Sequence, residues 1–102
     1  MSNEVKQGRY HVAVLPADIA CGKRGDADGC PIALALKRTL GIDEIEVDGH
    51  RLRLGEFSEY DGIVEKDKRD TVDAFIACFD DGIDPEPFDF DLTVEPREYG
   101  GD

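Results

Sequence analysis

The stretch "EIEVDGHRLRL", residues 44–54, decides the fold because two alternating runs of apolar and charged residues flank a turn signal. Its Asp48-Gly49 pair is favoured in the two-residue type I′ turn that joins antiparallel strands. We therefore predict a β-hairpin with one apolar face and one face of paired opposite charges. A turn at Asp48-Gly49 gives the expected pairs Val47 with His50, Glu46 with Arg51, Ile45 with Leu52 and Glu44 with Arg53.

Two further strands are predicted from the same alternation, one towards each end of the chain. In "YHVAVL", residues 10–15, and in "FDFDLTV", residues 88–94, apolar side chains recur at every second position. Pro16 ends the first of these strands, and Pro85 and Pro87 prevent regular structure just before the second. Both segments are expected to present an apolar face to a core.

The motif "CPIALALKRTLG", residues 30–41, predicts a helix that begins at a Cys-Pro pair. Pro31 suits the first helical position, and Cys30 falls at the N-cap. Gly41 suits the left-handed conformation that commonly ends a helix. A single helical turn is expected upstream, over residues 16–22.

A second amphipathic helix is predicted over "DTVDAFIACFDDG", residues 70–82, where apolar residues recur at i, i+3, i+4 and i+7. Asp67 or Asp70 is expected to cap its start, and Gly82 to end it. The connection between the hairpin and this helix, residues 55–70, is predicted to be irregular.

The order of these elements, β-α-β-β-α-β, predicts a small two-layer α+β domain. It matches the ferredoxin-like arrangement, in which two helices cover one face of an antiparallel four-stranded sheet. In that topology the first strand is central, and the acid-faced last strand is expected at an edge. Residues 10–94 are expected to form this single domain, with a flexible arm at 1–9 and a flexible acidic tail at 95–102.

Charge is the outstanding feature of the composition. The chain of 102 residues has 24 acidic and 12 basic residues and a formal net charge of -12. Direct nucleic-acid binding is disfavoured, because phosphate contacts need clustered lysines and arginines. Three cysteines, with no apolar N-terminal signal, favour free thiols in the cytoplasm. No apolar run approaches the ~20 residues that span a bilayer, so no membrane association is expected.

The residues around Cys30 are candidates for a small-molecule or metal site. "DADG", residues 26–29, resembles the start of a calcium loop, but the twelfth position is Lys37 rather than glutamate. The cysteines lack the short spacing of zinc sites, so no metal or cofactor is expected. A thiol at a helix N-terminus has a lowered pKa, which would make Cys30 reactive. The alternative function is thus a ligand-binding module formed by Asp26, Asp28 and Cys30.

Acidic residues also form a candidate partner-binding surface. Asp89 and Asp91 project from one strand face at a spacing of roughly 6.6 Å, close to two phosphate steps of about 3.4 Å each. Such carboxylates can imitate nucleic acid in a basic groove of another protein. They also serve solubility, which is the competing interpretation. The candidate partner-binding residues are Glu56, Glu59, Asp61, Glu65, Asp80, Asp81, Asp84, Asp89 and Asp91.

The stretches "DIACGKRGDADGCPIALALKRTLG" and "FIACFDDGIDPEPFDFDL" resemble short proteins encoded by phages and other mobile elements of bacteria, notably actinobacteria. The resemblance covers residues 10–94 and rests on an I..G turn, a CPIALAL helix and a closing aromatic block. It carries no known activity and so implies no catalytic residues. The matching positions are Ile19, Gly22, Cys30, Pro31, Ala33, Ala35, Phe75, Phe79, Asp80, Gly82, Pro87, Phe88 and Phe90.

This resemblance implies a phage-type accessory protein. Together with the acidic surface, it predicts a non-enzymatic protein of the host cytoplasm that binds and inhibits a nucleic-acid-handling or defence protein. The expected partner is a host protein with a basic surface. The oligomeric state is left open, with a homodimer among the alternatives. No positioned acid-base pair is evident, which disfavours an enzyme.

Overall fold

The computed structural model describes residues 6–26, 28–55 and 59–96, which form five strands and three helices. A 3₁₀ turn, Lys66–Lys68, leads directly into the third helix. The elements in chain order are β1 (Gly8–Val14), α1 (Pro16–Cys21), α2 (Pro31–Leu40), β2 (Ile45–Asp48), β3 (Arg51–Leu54), β4 (Tyr60–Val64), α3 (Arg69–Asp80) and β5 (Phe88–Pro96).

The sheet confirms the predicted α+β class but not the ferredoxin-like arrangement. All neighbouring strands are antiparallel, and their order is β1-β5-β4-β3-β2. The sheet therefore has five strands rather than four. The first strand is an edge instead of a central strand, and β5 lies inside the sheet instead of at an edge. The acidic face of β5 was expected to mark an edge strand, but β5 pairs with β1 on one side and with β4 on the other.

The extra strand, β4, lies in the segment that was predicted to be irregular. Gly62 interrupts its apolar alternation, yet this residue belongs to the apolar face of the sheet. A Cβ at Gly62 would lie 3.0 Å from Leu52 Cβ and 3.1 Å from Leu92 Cδ1. The close approach of the neighbouring side chains favours glycine here. Because glycine has no side chain, the alternation of apolar residues that identifies a strand is interrupted at this position.

The hairpin forms as predicted, but its register is shifted. Val47 pairs with Leu52 and Asp48 with Arg51, so that the two turn residues are Gly49 and His50. Gly49 takes a φ of +60°, which glycine adopts without strain. In the predicted register Val47 would pair with His50 instead of with an apolar residue. The observed register leaves the faces unchanged and pairs apolar residues with each other, Val47 with Leu52 and Ile45 with Leu54.

One face of the sheet is apolar and is covered by helices. Helix α2 is buried along the side that includes Ile32 and Leu36, and the Phe75 ring of α3 lies 5.0 Å from that of Phe88. This burial is the main source of stability for a domain of this size. The strand residues of this core are Val12, Val14, Ile45, Val47, Leu52, Leu54, Val64, Phe90, Leu92 and Val94.

The two main helices begin differently. As predicted, Cys30 is the N-cap of α2, with its Sγ accepting a hydrogen bond from Ala33 N at 3.5 Å, and Gly41 ends the helix at φ +70°. The capping of α3 by Asp67 or Asp70 was wrong. The N-cap is Lys68 and has no side-chain hydrogen bond, because the 3₁₀ turn already supplies helical backbone before the first residue of α3.

An ion pair between a buried carboxylate and a half-exposed arginine joins β1, α1 and α2. Asp18 is 5% exposed, and its carboxylate accepts hydrogen bonds from Arg38 at 2.7 and 3.0 Å and from Leu15 N at 2.8 Å. Arg38 also donates to Ala13 O at 2.8 Å. The pair thus fixes the packing of the two helices against the first strand.

The strands extend beyond the expected limits of the domain. β1 begins at Gly8 and β5 ends at Pro96, each two residues outside the predicted span of 10–94. Residues 1–5 of the proposed arm and residues 97–102 of the proposed tail lie outside the described residues.

Candidate functional site

The second face of the sheet, which we call the open face, has no helix of the described chain packed on it. Each of its side chains is exposed or half-buried. From the strand register, its residues are Arg9, His11, Ala13, Glu46, Asp48, Arg51, Arg53, Asp61, Ile63, Asp89, Asp91, Thr93 and Glu95.

Carboxylates are concentrated on one part of the open face. Asp89, Asp91 and Glu95 alternate along β5, and Glu95 pairs in register with Asp61 on β4. Glu65 joins them because its backbone N donates to Asp91 O at 3.1 Å and its Oε1 accepts from Asp91 N at 3.3 Å. We call Asp61, Glu65, Asp89, Asp91 and Glu95 the acidic cluster.

Four members of the acidic cluster were among the candidate residues, and Glu95 was missed. The alternation of "FDFDLTV" continues for one more outward-facing position, which is Glu95. Ending the predicted strand at Val94 excluded this position. The continuing alternation was the signal that could have identified it.

His11 of the neighbouring strand lies between two carboxylates of the cluster. Its Nδ1 lies 2.8 Å from Asp91 Oδ1, and its Nε2 lies 2.8 Å from Asp89 Oδ2. The hydrogen bond to Asp91, with a further contribution from Asp89, raises the pKa of His11 above its ordinary value. The imidazole therefore carries more positive charge near neutral pH than an isolated histidine would, and it offsets part of the negative charge.

The remaining acidic candidates are not brought together with the cluster. Asp80 ends α3, and Asp81 and Asp84 follow it, so these residues belong to the helical layer on the other side of the sheet. Asp80 Oδ1 accepts a hydrogen bond from Gly25 N at 3.0 Å, which gives it a structural role. Glu59 is exposed just before β4, and Glu56 lies outside the described residues.

The Cys30 region differs from its predicted chemistry. Cys30 is 6% exposed, and burial raises the pKa of its thiol, so the lowered pKa expected at a helix N-terminus is wrong. Desolvation outweighs the backbone hydrogen bonds that favour the thiolate. Asp26 Oδ1 accepts from Asp28 N and Gly29 N, and Asp28 pairs with Lys37 Nζ at 2.8 Å.

These contacts use the carboxylates of the loop internally. Within residues 6–26, 28–55 and 59–96, no group of three or more potential ligands is arranged to hold a metal ion. Ligand binding at Asp26, Asp28 and Cys30 stays a prediction.

Comparison of the chain with protein-family models, curated proteins and solved structures gives no significant match. The resemblance to mobile-element proteins therefore stays a prediction. In the described part of the chain, none of the helices combines the length and apolar character needed to cross a bilayer.

Proposed function

We propose that this chain is a non-enzymatic binding protein whose acidic cluster occupies a basic groove of a nucleic-acid-handling host protein. The observation that carries the proposal is the presence of four carboxylates of the acidic cluster on a sheet face that no described helix covers, with Glu65 beside them just after β4. Occupation of the groove would inhibit the partner by excluding its nucleic acid. The phage-type resemblance supports an accessory role in the host cytoplasm.

The spacing of the carboxylates supports imitation of a nucleic-acid strand. Residues two apart on a strand lie roughly 6.6 Å from each other, which is close to two phosphate steps along DNA. Asp89 and Asp91 have this spacing on β5, and Glu95 lies two such steps beyond Asp91, with Thr93 between them. A rigid strand holds the charges in place, so little ordering entropy is lost on binding.

Long-range electrostatics supports the same partner class. A net charge of -12 attracts a basic protein from a distance and speeds association at low ionic strength. Salt would screen this attraction. The interaction requires charge and shape alone, so we assign no catalytic step and no cofactor.

The test is capture from a nuclease-treated host lysate by three forms of the full chain. These are the wild type, the double variant Asp89→Lys/Asp91→Lys, and the control Asp81→Lys/Asp84→Lys. Both variants change the net charge by the same amount, but the control changes the helical layer. We expect the wild type and the control to retain a basic nucleic-acid-binding protein at low salt and to lose it at high salt.

The open-face variant should lose this protein at both salt concentrations. Equal capture by both variants would show that net charge, and not the acidic cluster, recognises the partner. Inhibition is then measured as nuclease or nucleic-acid-binding activity of the captured protein with increasing amounts of the chain. Unchanged activity would contradict the inhibitory role.

A further inference from the structure

Arginines are concentrated in the part of the open face around β3, next to Asp61 of the acidic cluster. Arg51 and Arg53 project from β3, and Arg69 approaches from the start of α3. Together with Asp61 and Ile63, these residues line a pocket of about 360 Å³. The lining has three arginines and one aspartate, and Glu46 and Asp48 stand opposite Arg53 and Arg51 on β2.

The arginines retain unused hydrogen-bonding capacity. Arg51 makes no ion pair or hydrogen bond with another described side chain, although Asp48 is its register partner. Arg53 Nη1 lies 3.5 Å from Glu46 Oε1, which is a long and exposed contact. Arg69 Nε donates to Val64 O at 3.1 Å, and this bond fixes the guanidinium at the pocket while using one of its nitrogens.

The rest of the lining is partly apolar. Ile63 is 38% exposed, an unusual position for isoleucine in the middle of a sheet, and it is the apolar side chain that the open face offers to this pocket. The volume lies in the range of pockets that hold small organic ligands and exceeds what a single inorganic anion needs. Guanidinium groups also stack on planar rings.

We propose that this pocket binds a small molecule that carries a phosphate monoester and a planar organic group. Arginine guanidinium groups bind phosphate oxygens through paired hydrogen bonds, and a dianion compensates several arginines at once. The planar group would lie against Ile63 and an arginine side chain. Asp61, at the same pocket, disfavours a ligand that carries negative charge throughout.

The test is an NMR titration of the ¹⁵N-labelled full chain at low ionic strength with adenosine 5′-monophosphate as the probe. Adenosine and inorganic phosphate are titrated separately. We expect the nucleotide to shift amide signals of residues 50–53, 61–64 and 69, and to bind at least about tenfold more tightly than either fragment. Shifts spread over the surface, or no shifts at millimolar probe, would overturn the proposal. Equal binding of inorganic phosphate would overturn the assigned ligand class.

Charge variants separate the pocket from general electrostatics. Arg51→Gln should weaken nucleotide binding about tenfold, because a charge-assisted hydrogen bond is lost. The control Arg9→Gln removes the same charge from β1 of the open face, outside the pocket, and should leave binding unchanged. Equal weakening by both variants would overturn the proposal.

A variant that is expected to increase nucleotide affinity distinguishes a charge effect from structural damage. Asp61→Asn removes the carboxylate from the lining and should strengthen nucleotide binding several-fold, an outcome that loss of structure cannot produce. Weaker binding by this variant would contradict the charge argument. These readouts are independent of partner capture, so either proposal can fail without the other.

Discussion

The two faces of the sheet use the same strands for opposite purposes. On β5, Phe90 and Leu92 are at most 1% exposed beneath the helices, whereas the side chains of Asp89 and Asp91 are 58% and 47% exposed on the open face. The apolar face therefore carries the stability, and the open face carries charges that the fold does not require. Substitutions on the open face can thus change its charge without removing apolar contacts from the core.

The ion pairs of the two layers differ in the same way. Asp18 is buried and accepts three hydrogen bonds, so its loss would leave donors without a partner. The contacts of His11 with Asp89 and Asp91 are largely exposed, and water can replace them. Geometry alone does not distinguish these interactions, since both have atoms within 3.0 Å. Burial does.

The largest effect is expected for Phe90→Ala, which tests the stabilising role of the apolar face. Removing this ring from the core should reduce the free energy of unfolding by about 3–5 kcal/mol, as measured by urea denaturation. The control is Thr93→Ala, on the open face of the same strand, which should change it by less than about 0.5 kcal/mol. Comparable losses for both variants would break the contrast between the faces.

A smaller effect is expected for Asp18→Asn, which tests the contrast between buried and exposed ion pairs. The variant weakens the contact with Arg38, which is partly solvated, and should reduce the free energy of unfolding by about 2 kcal/mol. Glu46→Gln, which removes the exposed partner of Arg53, should cost less than about 0.5 kcal/mol. Thermal and urea denaturation measure the stability of both variants. An unchanged free energy of unfolding for Asp18→Asn would contradict the role assigned to burial.

The smallest effect on stability is expected from the titration of His11. Because its folded-state pKa is raised, its contribution is fully present below the unfolded value of about 6.5 and is lost as the pH rises through the higher folded value. In NMR titrations, Asp91→Asn and Asp89→Asn should each lower the pKa of His11. Unchanged titration in both variants would show that the carboxylates do not hold a charged imidazole.

Local patterns in the sequence could predict the helices and the faces of the strands. The Cys30-Pro31 start of α2 and the apolar alternation around Phe90 depend on neighbours in the chain, so they were visible without a structure. The strand order depends on pairing between distant segments, which no local pattern determines. β4 was missed because Gly62 makes room for Leu52 and Leu92, a requirement of packing that appears in the sequence only as a missing apolar residue.

The candidate site was likewise predictable within single strands but not across neighbouring elements. The row of Asp89 and Asp91 follows from the alternation on one strand. The position of His11 between them depends on the pairing of β1 with β5, and the pocket around Arg51 depends on a helix start that follows a later strand. Combinations of residues from different elements were therefore the part that sequence patterns could not supply.

The place of β5 between β1 and β4 has a consequence for the newly synthesised chain. β1 pairs only with β5 among the described strands, so residues 8–14 have no sheet partner until residues 88–96 have been made. At about 5–20 residues per second, this gap corresponds to a delay of about 4–15 s. During that time the apolar side chains of β1 and the unpaired edge of β4 are accessible to chaperones and to other chains. Synthesis of the last strand is thus the event that closes the sheet and protects both.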